Sequence, residues 1–164
     1  VPDAIGAAAL TAAEDPNAPP EDMIRRECVK VSIIKAETLH RIPKFAPVPE
    51  DIVFHFNTRL QEFHNQLPSW MSLGQLIANP DNDLMTKFRP VIFYVHLFYL
   101  SAMMLLARRL MVAHIALNAS GKVSLPSVTL RAIQDGFLAA QNNAQVLESM
   151  LSDGQIVQVC WLCM

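Results

Sequence analysis

At 164 residues, with 52% hydrophobic and 17% charged side chains, the chain is long enough to bury a core, yet it carries less solvated surface than a typical domain, where about 25% is charged. Thirteen Lys and Arg against fifteen Asp and Glu leave a net charge of −2. No cationic stripe is visible, which argues against a surface that grips nucleic acid. These proportions suit the inner portion of a larger helical body, or one partly in lipid.

Taken in chain order, residues 1–20 ("AAALTAAEDPNAPP" at their heart) read as a linker or disordered segment, with too little apolar bulk to offset the entropy of ordering. The chain opens on Val1 without a charged region and a cleavable apolar stretch, and closes on apolar "VQVCWLCM". Both ends are expected to belong to a segment of a longer protein. From residue 21 to 164 the pattern predicts part of an all-helical domain.

A first helix is predicted to start at Glu21-Asp22, whose carboxylates suit the positive end of the dipole. Its inner stripe reads Ile24, Cys28, Val31, Ile34 and then Leu39, with Pro43 ending it. The Pro-spaced "PKFAPVP" forces an extended connector. Pro49-Glu50-Asp51 opens a second helix, buried along Ile52, Phe56, Leu60, Phe63 and Leu67 and ended by Pro68. Residues 69–87, with Gly74 and the turn text "NPDND", read as a long mixed connector.

Pro90 is expected to start a long apolar helix that runs to about Asn118, where "NASGK" and Gly121 break it. Ser124 or Ser127 is expected to cap the last helix, with Pro126 in its first turn. Ile133, Phe137, Ala140, Ala144, Leu147 and Leu151 then alternate four and three, a packing seam stopped at Asp153-Gly154. No stretch alternates with period two for long enough to make a sheet. The predicted class is all-α, an irregular multi-helix bundle.

The stretch Arg89 to Met111 holds about eighteen residues, before Arg108-Arg109, in which His96 is the one side chain that titrates near neutral pH. It spans about 27 Å as a helix, near the roughly 30 Å of a bilayer core. It reads either as a membrane span or as the central helix of a soluble core. Tyr94, His96, Tyr99 and Ser101 within the run, and amphipathic helices beside it, favour the core.

The same stretch carries a resemblance. Val95 to Met111, "VHLFYLSAMMLLARRLM", resembles the signature of the fungal-specific regulatory domain, the middle homology region of fungal binuclear zinc-cluster transcription factors. That family writes hydrophobic-His-Leu-x-Tyr, five or six small or aliphatic positions, then Leu-Leu-x-Arg-Pro. His96, Leu97, Tyr99, Leu105, Leu106 and Arg108 take the matching places, and Arg109 replaces the proline. Upstream, "LQEFHNQLP" resembles the Leu-x-x-Trp-x-x-x-Leu-Pro element, with Phe63 where tryptophan is usual and Leu67-Pro68 in place. Downstream, an Ala-rich helix and the Trp-bearing "VQVCWLCM" follow family order. The resemblance covers about residues 21–164 on barely a dozen signature positions. It implies a non-enzymatic helical regulatory domain in the nucleus, modulating RNA polymerase II transcription through the rest of its own chain, other transcription proteins or an effector. It also implies that DNA is read, and zinc held, by a cysteine cluster N-terminal to Val1; no cofactor is expected within this segment.

Other candidate sites have less behind them. The three cysteines, Cys28, Cys160 and Cys163, suit a reducing compartment. Cys160-x-x-Cys163 has a zinc-ligand gap but lacks two further ligands, so buried thiols are the expectation. His40, His55, His64, His96 and His114 include no pair at ligand spacing and no adjacent nucleophile motif, so a polar core contact is expected for His96 with Tyr99. Arg108-Arg109 is a candidate anion contact whose ordinary role is to cover apolar surface. Met71, Met85, Met103, Met104 and Met111 could line an adaptable pocket, though at helical spacing they read as core. A catalytic set cannot be assembled, and at least one of Leu105 and Leu106 is expected to be a buried anchor. The seam of the last helix and the apolar text after it are expected to leave an exposed apolar patch.

Overall fold

The computed structural model describes residues 18–43, 46–78, 83–118 and 125–154. Among these the chain is all-α: α1 (Pro20–Arg41), α2 (Glu50–Gln66), a 3-10 turn (Ser69–Met71), α3 (Leu73–Ala78), α4 (Asp83–Asn118) and α5 (Ser127–Ser152).

Prolines and a glycine set most helix ends. Pro19 stands at the N-cap of α1 and Pro49 at that of α2, each followed by two acids in the first turn. α1 stops at Ile42, whose extended backbone is what a residue before proline adopts. α5 ends where Gly154, at φ +67, takes a left-handed conformation and donates its N–H to the Leu151 carbonyl at 3.0 Å.

Three expected features come out differently. The connector 69–87 is largely helical: it holds the 3-10 turn, α3 and the first turn of α4. Pro90 therefore sits inside α4 and does not start it. A mid-helix proline costs about 3 kcal/mol through its missing N–H and its ring. Burial of the apolar side chains around it, Phe88, Ile92 and Phe93, all under 10% exposed, supplies the offset that local sequence cannot show. On α5, Pro126 is the N-cap and Ser127 the first helical residue, without a side-chain capping bond. Ser124 and Gly121 lie outside the described residues.

The buried faces are also rotated. On α1 they are Ile24, Glu27, Val31, Ile34 and Thr38, while Cys28 is half-buried and Leu39 exposed. Glu27 tolerates burial because Lys30 Nζ lies 3.0 Å from its carboxylate, and Thr38 because its hydroxyl donates to the Ile34 carbonyl at 2.8 Å. On α2, Val53 joins Phe56, Leu60 and Phe63 inside, with Ile52 and Leu67 half-buried. The largest rotation is on α5, which buries Thr129, Ala132, Ile133, Gly136, Ala139, Val146 and Met150. Phe137, Ala144 and Leu151 of the expected seam are exposed, and Ala140 and Leu147 half-buried.

Small residues explain that choice. A Cβ added to Gly136 would overlap the Ala107 Cβ, and would come within 3.3 Å of the Met103 carbonyl oxygen. The backbones of α4 and α5 thus approach as closely as glycine and alanine permit. Bulky Phe137 and Leu151 would hold them apart.

α4 is the central element, packed against α5, α1, α2 and α3. α1 runs parallel to it: Lys87 Nζ meets Glu21 at 3.1 Å and Lys35 Nζ meets the Ser101 hydroxyl at 3.0 Å, both across 66 positions. α5 runs antiparallel, Gly136 facing Ala107 while Asp153 reaches back to Arg89. α2 runs antiparallel to α1, with Arg59 paired to Glu37 and Arg41 over the Phe56 ring. Residues 87–116 are long and apolar enough to cross a membrane, but 56% of their most apolar window is buried inside this bundle.

Candidate functional site

Of the signature residues, His96, Tyr99 and Pro68 meet at the junction between α4 and the turn after α2, while Leu105, Leu106 and Arg108 lie farther along α4. Pro68 ends α2's connector and its carbonyl accepts from the Met71 N–H at 2.8 Å, closing the 3-10 turn. The Met71 carbonyl then lies 2.7 Å from His96 Nε2, across 25 positions. A carbonyl only accepts, so Nε2 carries the proton. His96 is 3% exposed, and burial lowers its pKa; the Met71 hydrogen bond opposes that shift and nearby His64 adds to it.

One turn along α4, Tyr99 packs between the pieces. Its ring lies 5.9 Å from that of Phe63, and 5.1 Å from that of His64 in a stacked arrangement. Burial pushes its phenol up to about 12, with Asp135 of α5 adding to the effect. Leu97 is buried at 3% and Leu67 half-buried, both packed in the same core. Leu106 is buried at 2% while Leu105 is half-buried, so one of the pair is the anchor. Arg108 is exposed and Arg109 half-buried at the far end, away from the His96 junction.

The remaining sequence candidates scatter. His55 meets Phe56 edge to face at 5.4 Å, His40 is exposed and His114 half-buried. Cys28 is half-buried, and burial, then the Glu27 charge, pushes its thiol up and away from reactivity. Met71 is fully buried, and Met103, Met104 and Met111 pack against the core. Cys160, Cys163 and the side chain of Met85 lie outside what is described. Among the described residues, no three His, Cys, Asp or Glu side chains are grouped to hold a metal. An open groove of about 350 Å³ runs along α1 beside Cys28, Val29 and Ile33, too shallow to enclose a ligand.

One buried group has no forewarning in the sequence. Arg89 is 8% exposed, with its guanidinium 5.5 Å from the Phe93 ring centre and its Nε 3.0 Å from Asp153 Oδ2. The angle is wrong for a hydrogen bond, so Nε is left unsatisfied despite the short ion-pair distance. The pair ties the start of α4 to the end of α5. Asp153 reads locally only as part of a helix stop.

The arrangement positions helices: a buried neutral imidazole fixes a turn to α4, and stacked rings fix α2 to α4. Comparison with protein-family models, curated proteins and solved structures gives no match to this chain.

Proposed function

We propose that this chain is a non-enzymatic helical regulatory domain of the fungal zinc-cluster transcription-factor type, acting in the nucleus on RNA polymerase II transcription. In this reading DNA and zinc are handled by a separate cysteine cluster N-terminal to Val1. This segment acts through the rest of its own chain, other transcription proteins or an effector. The observation that supports it is the His96–Met71 junction. The two stretches that resemble the family, 60–68 and 95–111, are separate in sequence but meet through His96, Tyr99, Phe63 and the turn begun by Pro68.

Fusion to a heterologous DNA-binding module with a transcriptional reporter tests the reading. The chain is expected to alter reporter output, and His96→Ala or Tyr99→Ala to change that effect; an output indifferent to the chain would sink the proposal. The chain alone is expected to show no salt-sensitive affinity for duplex DNA. Submicromolar binding at moderate salt would overturn the assignment of DNA reading to another module.

A second reading is favoured by the length and apolarity of residues 87–116: a helical protein anchored in a membrane by that helix. It requires α4 to leave α1, α2 and α5. Partition of the full protein into membranes, with detergent needed for extraction, would establish it against the first.

A further inference from the structure

Helix α5 carries two heptad-spaced surfaces with opposite fates. Thr129, Gly136 and Met150, with Ala132, Ala139 and Val146, are buried against the bundle. Leu130, Phe137, Ala144 and Leu151 recur at every seventh position and are exposed; the three large ones are 44%, 59% and 65% accessible. Ile133, Ala140 and Leu147 lie beside that row, buried or half-buried. Together the two rows alternate three and four from 130 to 151, which is the a/d pattern of a helix-pairing seam. The bundle uses only the d side. The a side, about 31 Å long at 1.5 Å per residue, has no partner among the described residues.

We propose that this seam pairs α5 with α5 of a second copy of the chain, antiparallel, across a two-fold axis between Ala140 and Gln141. Size and charge both select that occupant. The axis sets Phe137 over Ala144 of the second copy, a large knob over a small residue, and does so twice. It also sets Leu130 against Leu151. Parallel pairing would stack Phe137 on Phe137 and leave a gap between the two Ala144 side chains.

The flank is polarised in the same sense. Arg131 is exposed near the start of the seam, Glu148 is exposed near its end, and exposed Gln134, Gln141 and Gln145 are uncharged between them. Antiparallel pairing brings each Arg131 within about 3 Å in height of the other copy's Glu148, a difference of two helical residues. Parallel pairing would put like charge on like. A two-fold interface must be complementary to itself, and this face is, in one orientation.

Sedimentation velocity of the 164-residue chain over a concentration series tests the proposal, with helicity by circular dichroism confirming that each variant is folded. The wild type is expected to dimerise reversibly, and Phe137→Glu to weaken dimerisation at least about tenfold. Phe54→Glu, comparably exposed at 63% but on α2 and away from the seam, is expected to leave it unchanged. Arg131→Glu and Glu148→Arg should each weaken the dimer by about threefold or more, and the double exchange should restore it. Three results would overturn the proposal: a wild-type monomer throughout, equal effects at positions 137 and 54, or no rescue by the double exchange. A dimer that forms only after removal of residues 155–164 would overturn it too, by showing that the following segment covers the seam.

Discussion

The two halves of the bundle are joined by different means. α1 and α2 turn large side chains into the core, Ile24, Val31 and Ile34 from one and Val53, Phe56, Leu60 and Phe63 from the other, with the Arg59–Glu37 pair between them. α4 and α5 meet where Gly136 faces Ala107, with Ala132 and Ala139 on the same face. In the first half the core fills the space between helices; in the second the helices themselves close it. Burial there follows size before hydrophobicity, which is why Phe137 is outside and Gly136 inside. A close-packed contact gains dispersion energy along its whole length, and it has no slack to accept added atoms.

The sharpest way to break this contrast is to add volume to the tight contact. Gly136→Val is expected to destabilise by about 3 kcal/mol or more, beyond ordinary overpacking, because both neighbours are backbone or a Cβ that cannot rotate away. A chemical denaturation midpoint equal to that of the wild type would show that the helices separate freely.

Deletion tests the filled core. Leu106→Ala should cost about 2–5 kcal/mol, and Leu105→Ala, half-buried beside it, clearly less. Equal losses would mean that α4 is turned from the orientation described.

Between the halves, His96→Phe keeps the bulk but strands the Met71 carbonyl, an expected loss of about 1–3 kcal/mol. The histidine also predicts a direction with pH. Its folded pKa lies below the unfolded value, so the unfolded chain takes up the proton first. Stability from this group is present above about 6.5 and is lost as pH falls through the lowered folded pKa. His96→Phe should remove that part of the acid dependence, and an unchanged slope would place the effect elsewhere.

The smallest expected effect is spectroscopic. Tyr99 should ionise at about 12, seen in ultraviolet absorbance and absent in Tyr99→Phe. Because its folded pKa is raised, the stability it carries is present below pH 10 and lost as pH rises toward 12. A normal phenol titration at this position would mean that the α2–α4 stack is open.

Much of the fold was legible in particular residues. Glu21-Asp22 and Pro43 bracket α1, Pro49 and Pro68 bracket α2, and Gly154 stops α5, because proline and glycine constrain the backbone locally. The absence of period-two alternation was enough for the all-α class. His96 as a buried, hydrogen-bonded histidine was legible as well, since an ionisable group within an apolar helix needs a partner. The partner was not: the sequence set His96 with Tyr99, whereas His96 meets the Met71 carbonyl and Tyr99 stacks on His64, because backbone carbonyls carry no sequence signal.

By itself, then, the sequence determined the ends of α1 and α2, the stop of α5, and that α4 would be their centre. The tertiary structure alone decided where α4 begins, which sides of α1 and α5 turn inward, and that Arg89 and Asp153 meet. Periodicity reports that a helix has an apolar side, but two sides of α5 satisfy it, one of large residues and one of small. The choice between them depends on the surface of the opposing helix, and Ala107 on α4, 29 positions upstream of Gly136, makes it.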